Sequence, residues 1–125
     1  MHASLAHPTL IARRAGYAIA FAGLLTAALL LAGPVTWQIW VFLVAPDLAL
    51  LAGASPGLQH GQLHPRAVRL YNALHVLAGP VALGIAAVWL GPAWLAGALA
   101  WAAHVSMDRA AGYGLRDRDG FIRAV

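Results

Sequence analysis

The sequence predicts an all-α fold, a transmembrane antiparallel four-helix bundle, from three observations. Hydrophobic residues make up 62% of the chain and charged residues only 10%, whereas soluble domains carry roughly 25% charged residues. The charges fall in clusters, at Arg13 and Arg14, at Arg66 and Arg69, and from Arg109 to Arg123, with long apolar stretches between them. Gly33-Pro34 and Gly91-Pro92 then punctuate those stretches as tight turns, the layout of membrane spans and their connections. A mean hydropathy of +0.74 agrees.

The first span reads from about Ala15 to Ala32, with Thr26 its only interior polar group. A basic pair before an apolar run also begins a signal peptide, but this run is long for a signal core, so a retained helix is expected. Gly33-Pro34 ends it, and Trp37 and Trp40 follow at a position suited to the headgroup belt. The second span runs from there to about Leu51 and contains Pro46-Asp47, where a missing backbone donor should break the helix near its end.

The loop at about 53–65 is rich in Gly and Pro and carries His60 and His64. A third span covers Arg66 to Leu90 with Pro80 inside it, and Gly91-Pro92 leads to a fourth from Ala93 to Asp108. The chain thus divides into a cytoplasmic segment 1–14, a four-span domain 15–108 with a cytoplasmic loop at 53–65, and a cytoplasmic polar tail 109–125 containing Gly112, Gly114 and Gly120. Every Arg lies in or beside the N-terminal segment, the long loop or the tail, and none in the two Gly-Pro turns. The positive-inside rule therefore places both termini in the cytoplasm.

The formal net charge of +4 comes with arginines that flank apolar stretches, so it is assigned to lipid headgroups and topology and not to nucleic acid. Cysteine is absent, which excludes disulfides and thiolate metal sites. Any metal must take N and O ligands.

Ionisable groups inside spans cost about 2.5–3.5 kcal/mol on insertion scales, and call for partners or a function. Asp47, His75, His104 and Asp108 are such groups. Counted from the nearest cytoplasmic span end at ~1.5 Å per residue, Asp47, His75 and His104 lie within roughly 15 Å of the inner surface. Three helices thus place them in one layer. His104 and Asp108 share a helix face at a spacing of four, as do Tyr71 and His75, and Asn72 sits three before His75.

Two His and two carboxylates suit Zn, Mn or Fe, with Tyr71 and Asn72 as outer donors or substrate contacts. The same four residues are the candidates for catalysis. The competing structural reading pairs His104 with Asp108, lets Asp47 cap a broken helix or pair with Arg109, and hydrogen-bonds His75 to a carbonyl. No HExxH or other dense ligand motif is present, and His60 and His64 read as solvated loop residues. Around Tyr113 the two glycines suggest a turn as the chain leaves the membrane. Arg109 either neutralises Asp47 or Asp108 or binds an anionic headgroup, and both it and Tyr113 are candidate substrate contacts.

Ala45-Pro46-Asp47-Leu48, Tyr71-Asn72-Ala73-Leu74-His75, Ala103-His104, Asp108-Arg109, Gly112-Tyr113-Gly114-Leu115 and Gly120-Phe121 together resemble a family of small bacterial membrane proteins catalogued as a domain of unknown function. The resemblance runs from about Ala15 to Phe121 and departs at Met1 to Thr9 and in the middle loop. It implies that the Asp, the Asn and His pair, and the His to Asp-Arg segment matter, and it implies a bacterial inner membrane. It brings no activity.

Three functions remain. The first is a membrane enzyme, metal-dependent, acting on a lipid or other amphiphile from the cytoplasmic side, with His75 or His104 as ligand or general base. The second is a module that binds or transports a small ligand, which in a chain this small calls for a homo-oligomer. The outer half offers no ionisable group for a complete proton path. The third is a structural or accessory subunit whose polar residues only fix helix packing.

Overall fold

The computed structural model describes residues 8–124, which are mostly helical. Helix α1 spans Pro8–Ala32, α2 Trp37–Val44 and α3 Leu48–Ala52, the last two separated by a 3-10 turn at Ala45–Asp47. A second 3-10 turn at Pro65–Ala67 leads into α4 (Val68–Leu74). Helix α5 (Ala78–Leu90) and α6 (Pro92–Ala111) follow, and the chain closes in a hairpin of β1 (Tyr113–Arg116) and β2 (Ile122–Ala124).

Helix α6 is the centre, with α1, α2 and α5 packed around it. Its sequence explains why. Ala96, Gly97, Ala98, Ala100 and Ala103 are all buried, and small residues let neighbouring backbones approach closely. Ala28 of α1 and Ile39 of α2 meet Ala96 and Ala100 in the core. A Cβ on Gly97 would lie 2.8 Å from the Phe42 ring, and one on Gly79 would lie 2.4 Å from Trp101. Arg14 donates to the Ala110 carbonyl, so α1 and α6 run antiparallel. Gly79 and Gly84 of α5 face Trp101 and Ala98, which makes α5 antiparallel to α6 as well.

The expected antiparallel helix order is therefore present, with differences at the element ends. Helix α1 begins at Pro8, ahead of the expected Ala15, and α6 continues to Ala111, past Asp108. Only α1 is by itself long and apolar enough to cross a membrane, among the described residues. The segment Pro65–Leu90 joins it if its two helices count as one span, and Trp37–Ala52 is a shorter apolar stretch. Most of α1 is uncovered by the rest of the chain, with Ala28 its one buried residue.

The third expected helix is broken. α4 and α5 meet at a 48° bend across His75 to Leu77. Pro80 lies at the start of α5, where its missing N–H and its ring exclude a continuous helix through the preceding turn. Pro46 has the same effect between α2 and α3, as expected.

Residues read as a tail form the hairpin instead. Gly112 takes a left-handed conformation (φ +94°) and donates to the carbonyls of Asp108 and Arg109, which ends α6 one turn beyond Asp108. Antiparallel pairing sets Tyr113 against Ala124 and Arg116 against Ile122, with an irregular register between. The Asn72 amide seats this hairpin on α4. Its Oδ1 accepts from the Arg116 N–H at 2.8 Å, and its Nδ2 donates to the Arg116 carbonyl at 3.0 Å. It thus serves as one more strand residue.

Candidate metal centre

Both helix breaks expose backbone carbonyls that a regular helix would have used. At the first, the 3-10 turn at Ala45–Asp47 leaves the Leu43 carbonyl to accept from His104 Nδ1 at 2.7 Å. At the second, the His75 N–H bonds to the Asn72 carbonyl, and the Tyr71 carbonyl accepts from His75 Nδ1 at 2.7 Å. A carbonyl can only accept, so each Nδ1 carries the hydrogen and, in the neutral ring, each Nε2 presents a lone pair. Such carbonyl contacts fix the tautomer and orientation of a ligating imidazole.

The two Nε2 atoms face one another at 3.3 Å, and both rings are fully buried. Asp47 Oδ1 lies 3.2 Å from each Nε2. Asp108 Oδ2 lies 3.4 Å from His75 and 3.5 Å from His104. All four ligand atoms fall within 4.8 Å of one another. A tetrahedral ion with bonds of about 2.0–2.1 Å holds its ligand atoms ~3.3–3.4 Å apart. The five ligand separations given above are of that length, and the cluster could hold one metal ion.

The site's walls are equally specific. Tyr71 stacks on His75 with centroids 3.9 Å apart. At the break, Trp101 Nε1 donates to the Leu74 carbonyl and Arg109 to the His75 carbonyl, each at 2.8 Å. A second Arg109 nitrogen donates to the Tyr113 carbonyl. Asp108 is mostly covered, whereas the Asp47 side chain is 44% exposed. It opens on a pocket of about 170 Å3 lined by both carboxylates, Tyr71, Tyr113, Arg116, Leu50 and Ile122.

These contacts separate the sequence candidates. Asp47, His75, His104 and Asp108 converge, with Tyr71 and Tyr113 at the adjoining pocket. Asn72 and Arg109 spend donors on backbone carbonyls, and Arg109 pairs with neither carboxylate, which removes one of the two roles expected for it. Asp47 stands at the head of α3 but makes no side-chain capping bond. His60 and His64 lie outside the cluster, and His64 accepts from the Arg66 N–H. Trp101 is a packing and hydrogen-bonding residue against Leu74, Gly79 and Phe42. Arg116 went unnoticed in the sequence, where nothing distinguished it from its charged neighbours.

Fold and centre together define a small helical protein built around a buried pair of histidines facing two carboxylates. The chain belongs to the family described as the domain of unknown function DUF4260, whose model matches residues 11–124. No curated protein and no solved structure matches it.

Proposed function

We propose that this chain is an integral membrane protein in which Asp47, His75, His104 and Asp108 hold one divalent metal ion, and that the centre is a hydrolytic enzyme site for a lipid or other amphiphile. The observation that carries the proposal is the set of ligand separations of 3.2–3.5 Å. A shared proton could bridge the two Nε2 atoms, but it would leave two carboxylates converging on the same point. A divalent ion satisfies all four atoms and cancels both negative charges. Tetrahedral spacing with N and O donors favours zinc over manganese or iron.

The four-span arrangement rests on the up-down order of α1, α2, α5 and α6 and on their exposed apolar faces, exemplified by Ile19, Leu30 and Val88. Contiguous apolar surface of this kind seeks lipid or protein. Arginines gather at the end that holds the centre, and Trp37, Trp40, Trp89 and Trp94 at the opposite end. That polarity supports the reading in which the centre lies on the cytoplasmic side with both termini inside.

The chemistry follows from the roles each side chain has left. Both imidazoles are committed as ligands, since each Nδ1–H is engaged by a carbonyl. Asp47 is the exposed carboxylate; with Oδ1 on the metal, its Oδ2 is left to accept a proton from a water attacking a substrate in the pocket. Leu50 of α3 lines the pocket, and with its exposed neighbours Leu48 and Leu51 it suits an apolar tail.

Elemental analysis of the protein purified in detergent tests the reading. One equivalent of zinc is expected in the native chain and none in the folded His75→Ala, His104→Ala double variant. Absence of metal from the native chain, with unchanged function of the double variant in a host, would remove it.

A further inference from the structure

We infer that the pocket beside the centre takes a phosphate group, with Arg116 as its second anchor; this rests on the metal reading above and names the substrate class for it. Arg116 is 8% exposed and lines the pocket together with Asp47 and Asp108. Its guanidinium lies over the Tyr71 ring, 4.7 Å from the centroid, and one terminal nitrogen donates to the carbonyls of Gly61 and Gly120. Its Nε is the one buried side-chain nitrogen or oxygen without a hydrogen-bond partner among the described residues. No carboxylate pairs with it there either.

A buried cation with an unused donor is costly unless something supplies an acceptor. The two aspartates do not supply it, because they converge on the histidines. With a divalent ion in place, the two carboxylates and the metal cancel, and the charge left at the pocket is that of Arg116. An anion with several oxygens answers both needs, one oxygen joining the four protein ligands as a fifth on the metal and another on the guanidinium. Arginine presents its donors in a planar fork that matches phosphate. The size of the pocket agrees, since ~170 Å3 is below the roughly 300–1,000 Å3 of sites that enclose a whole drug-sized ligand. It admits a head group and leaves the rest of the molecule outside. For a phosphomonoester, the attacking water forms the new P–O bond and gives its proton to Asp47. The bond from phosphorus to the ester oxygen breaks, and that oxygen leaves with a proton returned by Asp47.

The test uses the full chain in detergent, loaded with Co2+ in place of zinc. Inorganic phosphate, glycerol phosphate and micelles doped with phosphatidate are titrated while the cobalt visible spectrum and the 31P line width are followed. Phosphate should perturb the spectrum and broaden its own 31P line, and Arg116→Lys should weaken this about 10- to 100-fold, the loss of one charge-assisted hydrogen bond. Tighter binding of phosphatidate than of glycerol phosphate assigns the group to a lipid, and equal binding assigns it to a soluble ester. Cobalt uptake with no response to any phosphate overturns the phosphate inference and leaves the metal centre standing. Failure to take up cobalt overturns both. Unchanged phosphate affinity in a folded Arg116→Lys variant also overturns the inference. If that variant does not fold, acetate on the native protein decides, because a response equal to that of phosphate contradicts it.

Discussion

Gly120→Ala is a severe test of how the hairpin is held over the centre. Gly120 has φ +98°, and a Cβ there would sit 1.8 Å from the Leu63 carbonyl oxygen and 2.9 Å from its carbon. The left-handed backbone alone costs an alanine about 1–2 kcal/mol. Relief of the clash requires the two strands of backbone to separate, which removes the Leu63 N–H to Gly120 bond and the 2.7 Å bond from Arg116 to the Gly120 carbonyl. At about 1 kcal/mol for a neutral bond and about 1.5–3 for a charged one, the total is roughly 3.5–6 kcal/mol. Gly112→Ala is the control, because it shares a positive φ but would meet only the flexible tip of Arg14 at 3.4 Å. It should cost only the conformational part. Denaturant unfolding in micelles measures both, and hydrogen exchange at the Leu63 amide reports the local opening. Equal costs for the two variants would refute the close-approach argument.

Three further outcomes are expected. Trp101→Phe keeps the stack on Phe42 but strands the Leu74 carbonyl, and should lower stability by about 1–3 kcal/mol in the same unfolding assay. Asn72→Ala removes both bonds to the Arg116 backbone and should cost about 1–3 kcal/mol, with faster amide exchange in β1 than in α6. Metal affinity should fall with acidification, because both imidazoles must be neutral to bind. Each histidine proton that a metal must displace weakens binding about tenfold per pH unit, so two histidines give up to about a hundredfold per unit. Metal retention measured by competition with a chromogenic chelator checks this, and affinity independent of pH between 5 and 7 would contradict histidine ligation.

The layer of ionisable residues was legible because each is expensive in an apolar segment, and because helical rise converts residue counts into depth. That reasoning brought Asp47, His75, His104 and Asp108 together without long-range information. It could not see the groups that aim them, since Leu43 and Tyr71 contribute backbone carbonyls that any residue possesses. Their only trace is the pair of prolines that interrupt the helices. Pro46 was read as a breaker, but the break associated with Pro80 falls several residues earlier, at His75 itself. The hairpin was invisible for a different reason. β1 and β2 are three or four residues long, β1 buries Gly114 and Arg116 in place of its apolar residues, and the hairpin is held by an asparagine side chain and a glycine meeting the distant Leu63 backbone. Of the two roles expected for Arg109, the ion pair is absent because the helix break leaves the His75 carbonyl at the same place.

X-ray absorption at the zinc edge tests the central claim most directly, on native protein purified after growth with added zinc. Stoichiometric zinc bound by N and O atoms at about 2.0–2.1 Å is expected, with an imidazole scattering pattern that disappears in the His75→Ala, His104→Ala variant. Zinc that is substoichiometric, or bound identically in the folded variant, would contradict it.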